Sequence, residues 1–170
     1  MTIKEILSYP DARLKQVSSE ISCFNRELLE TIQDMEDTMA VGPGAVGIAA
    51  PQIGITIRAI IVDVSGRKKI SHHGHLVLIN PEITAWEGLK TGREGCLSVP
   101  DYTGNVVRAE RISLTAFDQF GNHLSFDMEG YEARAVQHEI DHLDGLLFLD
   151  RLVSRRNDLF QRKKKTTQNG

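Results

Sequence analysis

The sequence predicts an α+β fold in which mixed, mainly antiparallel strands pack around a helix in the C-terminal half, with another helix near the N-terminus. Two stretches, 27–39 and 131–143, carry apolar residues every three or four positions, which is the period of an amphipathic helix. Short runs rich in β-branched residues lie between them and favour strands. We expect a single domain over residues 1–150, followed by a basic segment, 151–170, for which a helix is one option.

The predicted N-terminal helix has one apolar face that can pack against a sheet. The turn-forming residues 42–44, Gly-Pro-Gly, end the helix. Its apolar positions are Leu28, Ile32, Met35 and Met39.

Three short runs are predicted to be strands, because each is apolar or β-branched and is bounded by Gly, Pro or Asp. After the third run, residues 118–122 form a turn in which Gly121 can take a positive φ. This turn leads into residues 123–126, so we expect an antiparallel hairpin. The predicted strands are 55–64, 76–80 and 111–117.

Length and composition exclude several classes of protein. The chain has 170 residues, of which 41% are hydrophobic and 25% charged, typical of one globular domain that needs no disulfide framework. Its apolar runs are far shorter than the ~20 residues that span a bilayer, so we expect no membrane segment. We find no pattern of a targeting peptide and expect a cytoplasmic protein whose two cysteines, Cys23 and Cys96, are reduced thiols.

The charge is spread unevenly along the chain. The net charge is −3, yet the segment 151–170 is strongly basic and contains one acidic residue, Asp158. A solvated chain end is the simpler interpretation, and a surface that contacts RNA is the alternative. We expect no DNA partner. The basic residues are Arg151, Arg155, Arg156, Arg162, Lys163, Lys164 and Lys165.

The second helix carries the run His138-Glu139-Ile140-Asp141-His142. Two histidines four positions apart project from the same face of a helix, about one turn apart, and can reach one metal ion. The glutamate beside the first histidine can act as a general base toward water. The run therefore indicates a metal-dependent hydrolase, although an amphipathic helix can also carry two histidines on a solvated face.

A catalytic site of this kind needs a third protein ligand. Cys96 has small neighbours and could bind a metal as thiolate, but a buried structural thiol is an equally good interpretation. Residues 71–75 contain three histidines and resemble a polar loop more than a second metal site. His123 lies beside a turn and belongs to no motif.

Three separated stretches resemble the signature motifs of the peptide deformylase family, in the family's order. Residues 9–14 and Arg108 are also similar to that family. Ala45 departs from the pattern, which has glycine there. Because alanine takes a positive φ less readily than glycine, a positive φ at Ala45 would shift the strand that lines the substrate. The three stretches are 47–52, 94–100 and 137–145.

The resemblance implies hydrolysis of the N-formyl group from the initiator methionine of nascent polypeptides, which releases formate. Glu139 is then the general base. The Gln52 side chain and the Leu97 backbone N–H are implied to stabilise the charge that develops on the formyl oxygen. The implied metal ligands are Cys96, His138 and His142.

The resemblance also implies which ion is bound. Deformylases use Fe²⁺, with Ni²⁺ or Co²⁺ as good substitutes and Zn²⁺ as a poor one. We expect one divalent ion, Fe²⁺, which Ni²⁺, Co²⁺ or Zn²⁺ can replace in purified protein. A thiolate donates more charge than an imidazole, so the choice of ion matters more than at an all-nitrogen site. Iron and thiolate are both open to oxidation.

An extended nascent chain can bind by adding as a strand to an exposed sheet edge, through main-chain hydrogen bonds. We expect Asp141 to pair with Arg108 and so to fix the helix. By resemblance, the edges that bind the substrate are formed by Val46, Gly47 and Gly95. The implied methionine pocket lies near Val46, Arg134, Ala135 and His138.

Three other functions stay open at this point. Ala45 motivates a deformylase-like domain that binds metal or peptides without turnover. The histidine run alone is also compatible with a zinc peptidase that cleaves internal peptide bonds. In the third alternative the metal is purely structural, and Glu139→Gln would leave any activity unchanged.

Overall fold

The computed structural model of the chain describes residues 2–162. This part contains two α-helices, six strands and three short 3-10 helices, which confirms the α+β prediction. The α-helices are α1 (Arg26–Val41) and α2 (Gly130–Leu143). The strands are β1 (Gly47–Ala49), β2 (Ala59–Asp63), β3 (His75–Cys96), β4 (Val99–Phe117), β5 (His123–Glu129) and β6 (Leu159–Gln161). The 3-10 helices are Ala12–Lys15, Ala50–Ile53 and Phe148–Arg151.

The six strands form one sheet in which all paired strands are antiparallel. Five of them follow the order β1-β2-β3-β4-β5. Strand β6 pairs with residues 102–104 of β4, whereas β5 pairs with residues 111–117 at the other end of β4. Strand β4 therefore connects the C-terminal segment to the rest of the sheet.

Strands β3 and β4 are much longer than the predicted runs 76–80 and 111–117. They form a hairpin whose ladder runs from the pair Ile79 and Phe117 to the pair Cys96 and Val99, with register shifts along the way. Residues 84–91 of β3 are exposed, so their sequence lacks the apolar alternation that marks a half-buried strand. The tip of this hairpin places Cys96 at the end of β3.

Helix α1 confirms the prediction over 27–39 and extends it slightly. The side chain of Asn25 caps the helix by accepting a hydrogen bond from the Leu28 backbone N–H, at 3.0 Å. The buried face of α1 packs against β1 and β2, in a core that includes Ile48 and Ile61.

Helix α2 is buried on almost all sides, since ten of its 14 residues are buried. Its apolar residues Val136, Ile140 and Leu143 join the main core, as predicted. Gly145 follows the helix with φ +76°, and a Cβ at this position would clash with the Lys15 carbonyl. Five polar residues of α2 are buried as well, and buried polar groups need partners. They are Glu132, His138, Glu139, Asp141 and His142.

The basic C-terminal segment is not helical where the structure describes it beyond Arg151. Residues 159–161 form β6, because Thr103 and its neighbours in β4 offer a free strand edge. Residues 163–170, which include the three lysines, lie outside the described residues. None of the helices in residues 2–162 is long and apolar enough to cross a membrane.

Candidate metal centre

The predicted metal ligands come together at the point where α2 passes the tip of the β3–β4 hairpin. The Cys96 Sγ lies 3.3 Å from the His142 Nε2. One ligand atom from each of Cys96, His138 and His142 lies within 4.8 Å of the other two. All three residues are buried. A sulfur and two imidazole nitrogens at this spacing fit one divalent metal ion.

His138 is oriented by a carboxylate behind it. Its Nδ1 lies 2.8 Å from the Glu94 Oε1, which leaves Nε2 free to face the cysteine. A histidine held in this way has a fixed tautomer and ring position, as metal-binding histidines usually do. Burial alone would raise the pKa of Glu94, but Arg108 and His138 outweigh burial and lower that pKa.

Arg108 connects the hairpin to the helix from within the protein. It donates two hydrogen bonds of 2.9 Å to Glu94 and one to Asp141, as the expected pair of Arg108 and Asp141 requires. All three side chains are at least nine-tenths buried. Arg134 adds a further hydrogen bond to Glu94, at 2.6 Å. This buried network fixes β3, β4 and α2 relative to one another around the site.

Two histidines next to Cys96 favour the thiolate form of its side chain. Burial alone would raise the pKa of the Cys96 thiol, but His142 and His138 outweigh burial and hold that pKa well below its ordinary value. A thiolate is the form that binds metal. Binding of a divalent ion therefore competes with protons for these three side chains.

Glu139 lies beside the three ligands and has an unusual environment. Its Oε2 is buried and has no hydrogen-bond partner among residues 2–162, and its Oε1 lies 4.0 Å from the His138 Nε2. Burial raises the pKa of Glu139 to about 7, although His138 and His142 act in the opposite direction. A carboxyl with this pKa can both accept and release a proton near neutral pH.

Gly47 of β1 allows the sheet to approach Glu139 closely. A Cβ at position 47 would lie 2.9 Å from the Glu139 Cγ, which is too close for any real side chain. The glycine is therefore required for contact between β1 and α2.

Ala45, where the family pattern has glycine, does not have a positive φ. Within residues 2–162 only Lys69 and Asn80 combine a side chain with positive φ.

Gln52 is buried next to the cysteine in a fixed orientation. Its Oε1 accepts a hydrogen bond from the Ala49 backbone N–H at 2.9 Å, so its amide group turns the other way. The amide Nε2 donates to the Ser98 Oγ at 3.1 Å and lies 3.6 Å from the Cys96 Sγ. Leu97 lies between Cys96 and Ser98 in the chain and lines the cleft that leads to the site.

An open cleft of about 440 Å³ leads to the ligands. All five residues that the resemblance implies for substrate binding line it: Val46, Gly47, Gly95, Arg134 and Ala135. Sequence reasoning missed three arginines that line the same cleft, because they lie far apart in the chain. They are Arg67, Arg93 and Arg162.

The other histidines lie apart from this cleft. His73 pairs with Glu132, and His75 lies between Glu36 and Asp63. Within the described part of the chain, the group formed by the cysteine and the two α2 histidines is the only one with metal-ligand spacing. These findings agree with the interpretation of residues 71–75 as a polar loop.

The fold and the metal centre place the chain among the metal-dependent hydrolases. A family model described as "Polypeptide deformylase" matches residues 3–158, nearly the whole of the described chain. The chain belongs to this family and has peptide deformylase activity.

Curated relatives and solved structures agree with this assignment. The peptide deformylase of Thermodesulfovibrio yellowstonii is 43% identical over 166 residues, which cover 98% of this chain and 99% of that protein. A crystal structure of a peptide deformylase from Legionella pneumophila superposes with a TM-score of 0.83 at 43% identity, over 91% of this chain and 90% of that one. The enzyme from Ehrlichia chaffeensis in complex with actinonin has a TM-score of 0.85 at 33% identity, over 92% of each chain.

Proposed function

We propose that Glu139, Gln52 and Leu97 carry out the removal of the N-formyl group from nascent peptides at a metal ion held by Cys96, His138 and His142. One observation carries this proposal: a buried carboxylate oxygen without a partner among residues 2–162 lies beside three converging metal ligands in an open cleft. A divalent ion held there supplies Lewis acidity, which makes water more acidic and polarises the formyl carbonyl.

Glu139 is the proton carrier in this proposal. Its unpartnered Oε2 is free to accept a proton from the attacking water. The same carboxyl can later give that proton to the leaving amine. The close packing of Gly47 against Glu139 holds the carboxylate beside the cleft.

Gln52 and Leu97 stabilise the negative charge that develops on the formyl oxygen. The hydrogen bond from Ala49 fixes the Gln52 amide with its N–H donors toward Cys96, so no reorientation is needed during the reaction. Leu97 contributes its backbone N–H from the hairpin tip. Removal of one such donor typically reduces the rate by ~10²–10³.

The substrate binds as an extended strand between two segments of the cleft wall, residues 46–47 on one side and Gly95 on the other. Both segments line the cleft, and main-chain hydrogen bonds would recognise any nascent sequence. Ala135 of α2 lines the pocket for the methionine side chain. Arg134 supports the wall of this pocket, because its guanidinium is held in place by hydrogen bonds to Glu94 and to the Lys90 carbonyl.

We propose Fe²⁺ as the native ion. A donor set of one thiolate and two imidazoles suits borderline ions such as Fe²⁺, Co²⁺, Ni²⁺ and Zn²⁺, so the ligands alone leave this choice open. Metal analysis of protein purified without oxygen tests the proposal. An excess of iron over the other three ions would support Fe²⁺, and an excess of zinc would contradict it.

Formate release from formyl-Met-Ala-Ser, measured under argon after addition of Fe²⁺ or Ni²⁺, tests the function directly. We expect turnover of this peptide and no cleavage of internal peptide bonds in an unformylated protein substrate. Endoproteolysis without formate release would instead favour a zinc peptidase. A fully metal-loaded protein that releases no formate would contradict the proposal.

Because the substrates are nascent chains, we propose that the enzyme acts in the cytoplasm and contacts the ribosome through its basic segment. A deletion of residues 163–170 removes three lysines but leaves β6 in place. We expect this deletion to weaken co-sedimentation with ribosomes, and the difference to shrink as salt rises. Unchanged co-sedimentation at low salt would contradict the ribosome contact.

A further inference from the structure

Three arginines surround the mouth of the cleft: Arg67, Arg93 and Arg162. They come from the loop after β2, from β3 and from the residue after β6, so the fold alone brings them together. Within residues 2–162 none of the three forms an ion pair with a carboxylate. We call these three residues the arginine rim.

Neutral groups hold two members of the rim in place. The Arg93 guanidinium lies 3.7 Å above the Phe160 ring and donates to the side chains of Asn105 and Thr103, at 3.1 and 3.2 Å. The Arg67 guanidinium lies 3.8 Å above the Tyr131 ring. Such contacts orient a guanidinium without cancelling its charge.

Arg162 lies directly against the predicted substrate edge. Its guanidinium occupies the space where a side chain at Gly95 would lie, and its backbone N–H donates to the Asp101 carbonyl at 2.8 Å. A peptide that pairs with the Gly95 segment would therefore pass close to this charge.

The carboxylates that line the cleft do not neutralise the rim. Only Glu94 and Glu139 line it, and both are buried. Glu94 is already bonded to Arg108, Arg134 and His138. The fourth arginine of the cleft, Arg134, is thus balanced, whereas the rim keeps its positive charge.

We propose that the arginine rim makes the enzyme prefer formylated peptides with aspartate or glutamate in the residues that follow the methionine. This inference rests on the proposed function, since it assumes that the cleft binds the formylated chain. An acidic side chain near the rim gains a charge-assisted hydrogen bond to a guanidinium and is attracted during encounter. A lysine at the same position is repelled.

The test compares three peptides with amidated C-termini: formyl-Met-Ala-Asp, formyl-Met-Ala-Asn and formyl-Met-Ala-Lys. Asp and Asn have nearly the same shape, so their ratio isolates the charge. We expect kcat/KM to be about fivefold to tenfold higher for Asp than for Asn at low salt, and lowest for Lys. The ratio should approach one at 0.5 M salt because the charges are then screened.

Arg93→Gln and Arg162→Gln should each lower the Asp to Asn ratio by about twofold or more. Arg26→Gln is the matched control, because Arg26 is 93% exposed on α1, outside the cleft, and should leave the ratio unchanged. A wild-type ratio of one or below at low salt, with the Asn peptide hydrolysed, would overturn the proposal.

Binding of the unformylated products Met-Ala-Asp and Met-Ala-Asn, measured by calorimetry, separates the rim from the chemistry. We expect tighter binding of the Asp product in the wild-type protein and an equalised pair in the double variant of Arg93 and Arg162. This result would support the rim even if formate release failed, and equal binding of both products by the wild type would contradict it.

Discussion

Two histidine-rich regions of this chain have similar composition and very different environments. In α2, His138 and His142 point toward Cys96 and are buried. Among residues 71–75, His73 contacts one carboxylate and His75, the first residue of β3, contacts two, and both side chains are more than a third exposed. The first region has metal-ligand spacing, whereas carboxylates contact the imidazoles of the second region.

The difference shows that the direction of the ligands matters more than their number. The imidazole of His75 has Glu36 on one nitrogen and Asp63 on the other, so both of its metal-binding positions are already occupied. His138 has a carboxylate on Nδ1 alone and offers Nε2 to the cleft. A metal site requires that each ring keep at least one nitrogen available and that these nitrogens face a shared point.

The strongest test of this contrast is Glu139→Gln. The glutamine keeps the size of the side chain but cannot carry the proton, so we expect kcat to fall by ~10²–10⁴ while the metal remains bound. Formate release and metal content should be measured on the same preparation. His72→Gln, in the exposed loop, is the control and should leave kcat unchanged; a similar loss in both variants would show that the two regions had been wrongly distinguished.

The buried network around the metal centre can be tested with two arginines of β4. Arg108→Met leaves Glu94 and Asp141 buried with lost partners, so we expect the free energy of unfolding to fall by about 3–5 kcal/mol. Arg111→Met removes only exposed pairs and should change it by less than ~1 kcal/mol. Urea unfolding of both variants measures the difference, and equal values would refute a supporting role for the network.

Much of the metal centre could be predicted because its signals are local in sequence. The two histidines are one helical turn apart, and the cysteine lies in a short run that resembles a family motif. The lengths of β3 and β4 could not be predicted, since residues 84–91 are exposed and show no apolar alternation. The arginine rim was missed for another reason: β6 and the pairing partner that holds it are about 60 residues apart, so only the folded sheet brings the rim together.

Among the three histidines of residues 71–75, we expect the replacement of His73 to have the largest effect on stability. Its Nδ1 contacts Glu132 at 2.6 Å, and the Glu132 side chain is 1% exposed. His73→Ala removes the ring contact and leaves Glu132 only the hydrogen bond from the His73 backbone N–H, so the free energy of unfolding should fall by about 1–3 kcal/mol. Activity per metal-loaded molecule should stay at the wild-type value; a loss of bound metal in this variant would connect the two regions after all.

His75 should contribute least, and only at lower pH. Burial alone would lower its pKa, but Glu36 and Asp63 outweigh burial and raise that pKa above its ordinary value. Its stabilising effect is therefore fully present below the unfolded pKa of ~6.5 and is lost as the pH rises through the higher folded value. Because the side chain is 45% exposed, solvent screening limits this effect to a few tenths of a kcal/mol, roughly. The free energies of unfolding of the wild type and of His75→Gln should differ at pH 6 and converge at pH 9. A difference that grew with pH would contradict this prediction.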